Sequence, residues 1–199
     1  MTRRAAVAAA FGCAVLTQAG GAAALSMDAA QEFVTGLITE LRVLVQNNRS
    51  GADGAAEFLA LLERKSALDP VGRFAMGRAW REMDETQQTA YQTAFRSYIS
   101  RTYQNRFSEY AGEDITIFGA TDAGQKGVLV KSHLVRPSSE PVDVEWLVDD
   151  RSGAPLLSDI LFEGVSLAIT LRETFGGMLE KRNGDINQFI ADLGTSSGA

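Results

Sequence analysis

At Asp114 the spacing of apolar residues changes from a helical period to a strand period. Before that point large side chains recur every three or four residues; after it they alternate. A chain that runs through helices first and short strands second, with no Pro-, Gly- or Ser-rich linker between its helices, has to pack the two kinds of element as layers around one core. That is the α+β class.

The helical half reads in four pieces. Asp28 is placed to cap a helix whose apolar face is Phe33, Leu37, Leu41 and Leu44, ending near Asn47-Asn48. A short helix covers roughly Gly54 to Arg64, and Asp69-Pro70 opens a third, with proline at the first helical position. The clearest is "DETQQTAYQTAFRSYISRTYQNRF", where Tyr91, Phe95, Tyr98 and Thr102 mark one face. In the second half, Ile115 and Ile117 alternate, then Val128, Val130 and Leu134. Val142, Val144, Trp146 and Val148 alternate with Asp143, Glu145, Leu147 and Asp149, giving one dry and one mostly wet face. Turn residues fall between these runs, at Ala123-Gly124, Pro137-Ser138-Ser139 and Asp150-Arg151-Ser152-Gly153. A fourth strand, about Leu156 to Phe162, leads through Gly164 into a helix from about Ser166 to Leu179, and a last helix spans Asp185 to Leu193. The expectation is a twisted antiparallel sheet of about four strands with helices packed on one face.

The first residues, "MTRRAAVAAAFGCAVLTQAGGAAALSM", combine two arginines, an apolar run from Ala5 to Leu16 and small residues up to Ala24. This is the pattern of a secretory signal peptide over residues 1–24. The apolar run falls well short of the roughly 20 residues that a membrane span requires. The expected organisation is therefore a leader, one domain over 25–194, and a short Gly/Ser-rich tail at 195–199. Cys13, the one cysteine, leaves with the leader, so no disulfide holds the mature fold. The net charge is −6, and losing Arg3 and Arg4 makes the chain more acidic still, which argues against a nucleic-acid partner.

The stretch "DILFEGVSLAITLRETFGGML", Asp159 to Leu179, tests whether the chain is an enzyme. A nucleophile elbow places Ser on a sharp strand-to-helix turn with Gly two residues on; here that position is Ala168. The one histidine, His133, precedes Ser166, whereas the hydrolase order puts His last. Ser166 reads as a helix cap. One histidine and no mature cysteine exclude ordinary zinc sites, and no phosphate-cradling glycine loop is present. No catalytic residue, metal ligand or cofactor is expected.

Large apolar side chains cluster on the elements around the sheet: Phe74, Trp80, Tyr91, Phe95, Tyr98 and Tyr103 on helices, Val130, Val144, Trp146 and Ile160 on strands, and Val165, Leu167, Leu171 and Phe175 around the start of the later helix. A filled core and a lined cavity share this periodicity.

The order of "AYQTAFRSYISRTY", "VDVEW", "LLSDILFEGVSLAITLRETFGGML" and "NGDINQFIADL" resembles the MlaC family, also called toluene-tolerance proteins, over nearly the whole mature chain. "DILFEGVS" followed by Arg172 and Phe175 is the most specific part. The resemblance implies a periplasmic carrier that holds a glycerophospholipid in an apolar cavity between helices and sheet. It implies as partners an inner-membrane ABC transporter complex with its membrane-anchored substrate-binding subunit, and an outer-membrane lipoprotein complex. The cavity is then expected among the apolar residues just named. Arg78 and Arg81, three apart, are candidates for contact with a lipid phosphate or an acidic partner; the alternative is plain solvated arginines. A carrier of another lipid such as a hopanoid, or a periplasmic chaperone, would use the same features.

Overall fold

The computed structural model describes residues 25–47, 52–109, 114–135 and 139–195, with 52–53 and 103–109 described as backbone only. The expected leader, residues 1–24, and residues 196–199 of the expected tail lie outside the described residues.

Among the described residues six helices and five strands follow one another, helices before strands and helices again after them. Helix α1 spans Met27–Gln46. Its cap is Ser26 rather than Asp28: the Ser26 hydroxyl accepts from the Ala29 N–H at 3.2 Å, while Asp28 sits in the first turn, where the helix dipole favours a carboxylate. Helix α2 is Ala52–Lys65 and α3 is Leu68–Met76, continued by a 3-10 turn over Gly77–Arg81. Helix α4, Glu85–Glu109, starts at a capping box. The Asp84 carboxylate accepts from the Gln87 N–H at 2.8 Å and the Gln87 side chain accepts from the Asp84 N–H at 3.2 Å.

The strands are β1 Asp114–Asp122, β2 Val128–Val135, β3 Val142–Asp149, β4 Leu156–Phe162 and β5 Val165–Ser166. They form one antiparallel sheet in sequence order. The strand beyond the expected four is β5, which at two residues has no alternation to read. It is folded back by a turn in which Glu163 and Gly164 both have positive φ, 48° and 76°, the requirement of a type I′ hairpin. Helices α5, Leu167–Glu180, and α6, Ile186–Thr195, complete the domain; α6 ends one residue inside the expected tail.

Two apolar clusters result. In the first, α1 and α2 pack on the inner sheet face, where Ala120, Val130, Trp146 and Ile160 stand in one row across β1 to β4. In the second, α3, the 3-10 turn, α4, α5 and α6 pack on one another. Helix α5 therefore does not lie over Val144 and Trp146, which are clustered with α1 and α2 instead. The reason is local: α5 begins directly after β5, at the end of the sheet, so it leaves from an edge and docks on α3 and β4. The two parts are joined by the α2–α3 connection, where Ser66 forms a parallel bridge with Leu157 and the Ala67 N–H donates to the Leu157 carbonyl at 2.8 Å.

Candidate functional site: the apolar interior and its rim

The sequence-named residues separate between the two clusters. Val130, Val144 and Trp146 are buried on the inner sheet face, in the cluster formed with α1 and α2. An indole N–H in so apolar a place needs a partner. Trp146 Nε1 donates to Ser132 Oγ at 2.9 Å, and that hydroxyl donates to the Val144 carbonyl at 2.8 Å. The relay consumes the polar atoms, leaving a hydrocarbon surface. Ile160, next in the row, is only partly buried.

Tyr91, Phe95, Tyr98, Leu171 and Phe175 are buried together in the helical cluster with Phe189. Phe175 meets its neighbours edge to face, Tyr98 at 5.3 Å and Phe189 at 5.7 Å between centroids, while Tyr91 stacks on Phe95 and Phe189. The Tyr91 hydroxyl donates to the Gly72 carbonyl at 2.7 Å, and burial pushes its pKa upward. This group is a dense aromatic core, and Trp80 and Leu167 pack partly buried against it. Leu62 touches both clusters.

Two expected lining residues are on the surface instead. Phe74 is 42% and Val165 60% exposed. Phe74 is turned out at the end of α3, where its ring receives the Arg172 guanidinium at 5.2 Å; Val165 belongs to the two-residue strand that closes the sheet edge. The Tyr103 side chain lies outside the described residues.

Arg78 and Arg81 fall on the 3-10 turn, where residues three apart still share a face. The Arg78 side chain is 88% exposed and pairs with Glu82 at 3.1 Å, so it is already neutralised by a neighbour. Arg172, on α5, is a further cation at this end of the fold, laid over the Phe74 ring. Its setting depends on Phe74 and Gly77, about a hundred residues earlier, and no local spacing reveals that.

Ser166 is a cap. Its backbone is extended (φ −68°, ψ 127°) and its hydroxyl oxygen accepts from the Ile169 N–H at 3.1 Å. The hydroxyl proton goes to Asp159 Oδ2 at 2.5 Å, and Asp159 Oδ1 accepts the Ala168 N–H at 3.0 Å. His133 stands on β2, with β3 and β4 between it and β5, its Nδ1 2.9 Å from Asp143 Oδ1 and its ring stacked on Phe118. No proton path joins it to Ser166. Among the described residues no three His, Cys, Asp or Glu side chains gather as metal ligands, and no helix is long and apolar enough to cross a membrane.

The profile of the MlaC protein family matches residues 37–195. The chain belongs to the MlaC family. This MlaC domain is also similar to the solved structure of a phospholipid-binding protein from Ralstonia solanacearum, in complex with a phospholipid. The two are 21% identical, with a TM-score of 0.66 over 82% of this chain and 98% of that one; the likeness is one of fold. In the MlaC chain described here, the motif "DILFEGVS" is architectural: Asp159 and Ser166 fasten the first turn of α5 to β4.

Proposed function

We propose that this MlaC family member is a periplasmic carrier that holds a glycerophospholipid and passes it between an outer-membrane lipoprotein complex and an inner-membrane ABC transporter complex, through the latter's membrane-anchored substrate-binding subunit. The observation that carries the reading is the division of the interior into two apolar clusters with Leu62 packed against both. The acyl chains lie along that seam, between the sheet-side wall of Val130, Val144, Trp146 and Ile160 and the helical wall of Leu167 and Trp80. The leader over 1–24 directs export, and the mature chain starts close to the Ser26 cap.

The need for such a carrier is arithmetic. A buried CH₂ contributes about 0.8 kcal/mol, so two chains of about 15 methylenes cost on the order of 24 kcal/mol to expose to water. A hydrocarbon seam offsets most of that cost with no reacting group.

Organic extraction of protein purified from the periplasm, followed by lipid mass spectrometry, tests the proposal. About one phospholipid per chain is expected. Protein without lipid refutes the carrier, and a hopanoid in its place refutes the phospholipid. A volume test locates the seam. Ile160→Trp should expel lipid while the delipidated protein keeps its thermal midpoint; Leu171→Trp, set in the aromatic core, should cost about 1 to 3 kcal/mol by overpacking. Equal destabilisation by both places Ile160 in filled core.

A further inference from the structure

Four of the exposed large apolar residues gather around one corner of the domain. Phe162 and Val165 are cross-strand partners on either side of the Glu163-Gly164 turn, 39% and 60% exposed, and Ile169 follows in the first turn of α5, 50% exposed. One helical turn further, Arg172 lays its guanidinium on the ring of Phe74. Gly77 leaves room for it: φ is 60°, and a Cβ there would stand 3.3 Å from three guanidinium atoms. Beside Phe74 on α3, Arg73 covers Trp80 at 5.4 Å.

The charges around this corner are unbalanced. Arg73, Arg81 and Arg172 have no carboxylate partner among the described residues. Of the nearby acids, Glu82 pairs with Arg78 and Asp69 with Arg96, while Glu163 at the hairpin turn keeps its charge and accepts the Asp143 N–H. Glu173 follows Arg172 but departs about 100° around the helix. In a chain of net charge −6, the three arginines outnumber Glu163 and Glu173 beside them, which leaves this corner a small positive excess.

We infer that this corner rests on the surface of a bilayer containing anionic phospholipid. The inference rests on the carrier reading for its purpose, since the complexes that exchange lipid with the carrier sit at membrane surfaces, but its physics is separate. The hairpin end bearing Phe162 and Val165, with the exposed Glu163 held back on the Asp143 N–H, suits a soft medium, whereas a protein partner would need a matching pocket. Guanidinium groups held against aromatic rings place cations at the phosphate level directly beside apolar groups at the acyl boundary. The contact is peripheral and reversible, as a carrier requires.

Co-sedimentation of the full mature chain with phosphatidylcholine vesicles containing about one third phosphatidylglycerol tests this. Binding should weaken as salt is raised and be lower on phosphatidylcholine alone. Arg172→Gln should reduce partitioning about fivefold, and Val165→Ser with Ile169→Ser about tenfold or more. These side chains are exposed, so an unchanged thermal midpoint will show that the fold is kept. The inference is overturned if the wild-type chain stays in the supernatant with anionic vesicles, if both variants bind undiminished, or if the corner captures a protein while ignoring vesicles. Cargo is measured independently: a lipid-loaded chain that ignores vesicles removes this inference alone, and a lipid-free chain that binds them removes the carrier reading alone.

Discussion

Replacing Ser166 by Ala removes two hydrogen bonds at once. The Ile169 N–H loses its acceptor, a cap loss of about 0.5 to 2 kcal/mol. Asp159 loses the hydroxyl donor that holds Oδ2; a bond to a charged group contributes about 1.5 to 3 kcal/mol, reduced here because water can reach this partly buried carboxylate. Together the loss should be about 2 to 3 kcal/mol. For a domain of this size, that lowers the midpoint by about 4 to 12 °C. Ser166→Thr keeps both roles and should stay within about 0.5 kcal/mol of wild type. Because the Asp159 and Ser166 side chains share a bond, their alanine variants should be non-additive by about 1 kcal/mol in a double-mutant cycle followed by urea denaturation. An Ala variant within about 0.5 kcal/mol of wild type, or strict additivity, would refute the cap argument. Loss of function in a Ser166→Ala protein of unchanged stability would return Ser166 to the list of nucleophiles.

Three other outcomes are expected. Phe175→Ala, in the middle of the aromatic cluster, should cost about 3 to 5 kcal/mol in delipidated protein by thermal or urea denaturation; a small cost would show that the cluster is loose. Gly72→Ala should destabilise by about 1 to 3 kcal/mol by denaturation, since the new Cβ would stand 3.0 Å from the Phe95 ring. Asp149, buried and held through two hydrogen bonds by the Arg151 guanidinium, has its pKa lowered by that bonding. Its stabilisation is present above the usual carboxylate value of 3.8 and is lost as pH falls through the lowered one. Asp149→Asn should cost about 1 kcal/mol at neutral pH, and urea titrations at decreasing pH should show the gap from wild type closing below that value.

The alternation in β2 and β3 was plain because one sheet face is dry and the other wet, so Val144 and Trp146 stand where the spacing puts them. What the spacing could not contain was the partner of each face. Periodicity says that Leu171 and Phe175 are buried, not that they are buried against α3, α4 and α6; that follows from where β5 releases α5. Phe74 shows the converse. Its apolar character suggested the interior, but its position at the end of α3 and the approach of Arg172 hold it at the surface. Ser166 was legible because a cap is a local device, complete within four residues. The Arg172 setting was not, because it joins two distant segments.

The bulge in β1 between Ile117 and Gly119 has a consequence for the protein in a crowded compartment. The far side of β4 is shielded by β5 and by the α2–α3 connection, whereas among the described residues no strand pairs with the outer edge of β1. Phe118, standing out of register in the middle of that edge, interrupts it, so an incoming strand finds no continuous stretch of pairs longer than about four residues. The irregularity makes β1 a poor template for strand-to-strand polymerisation.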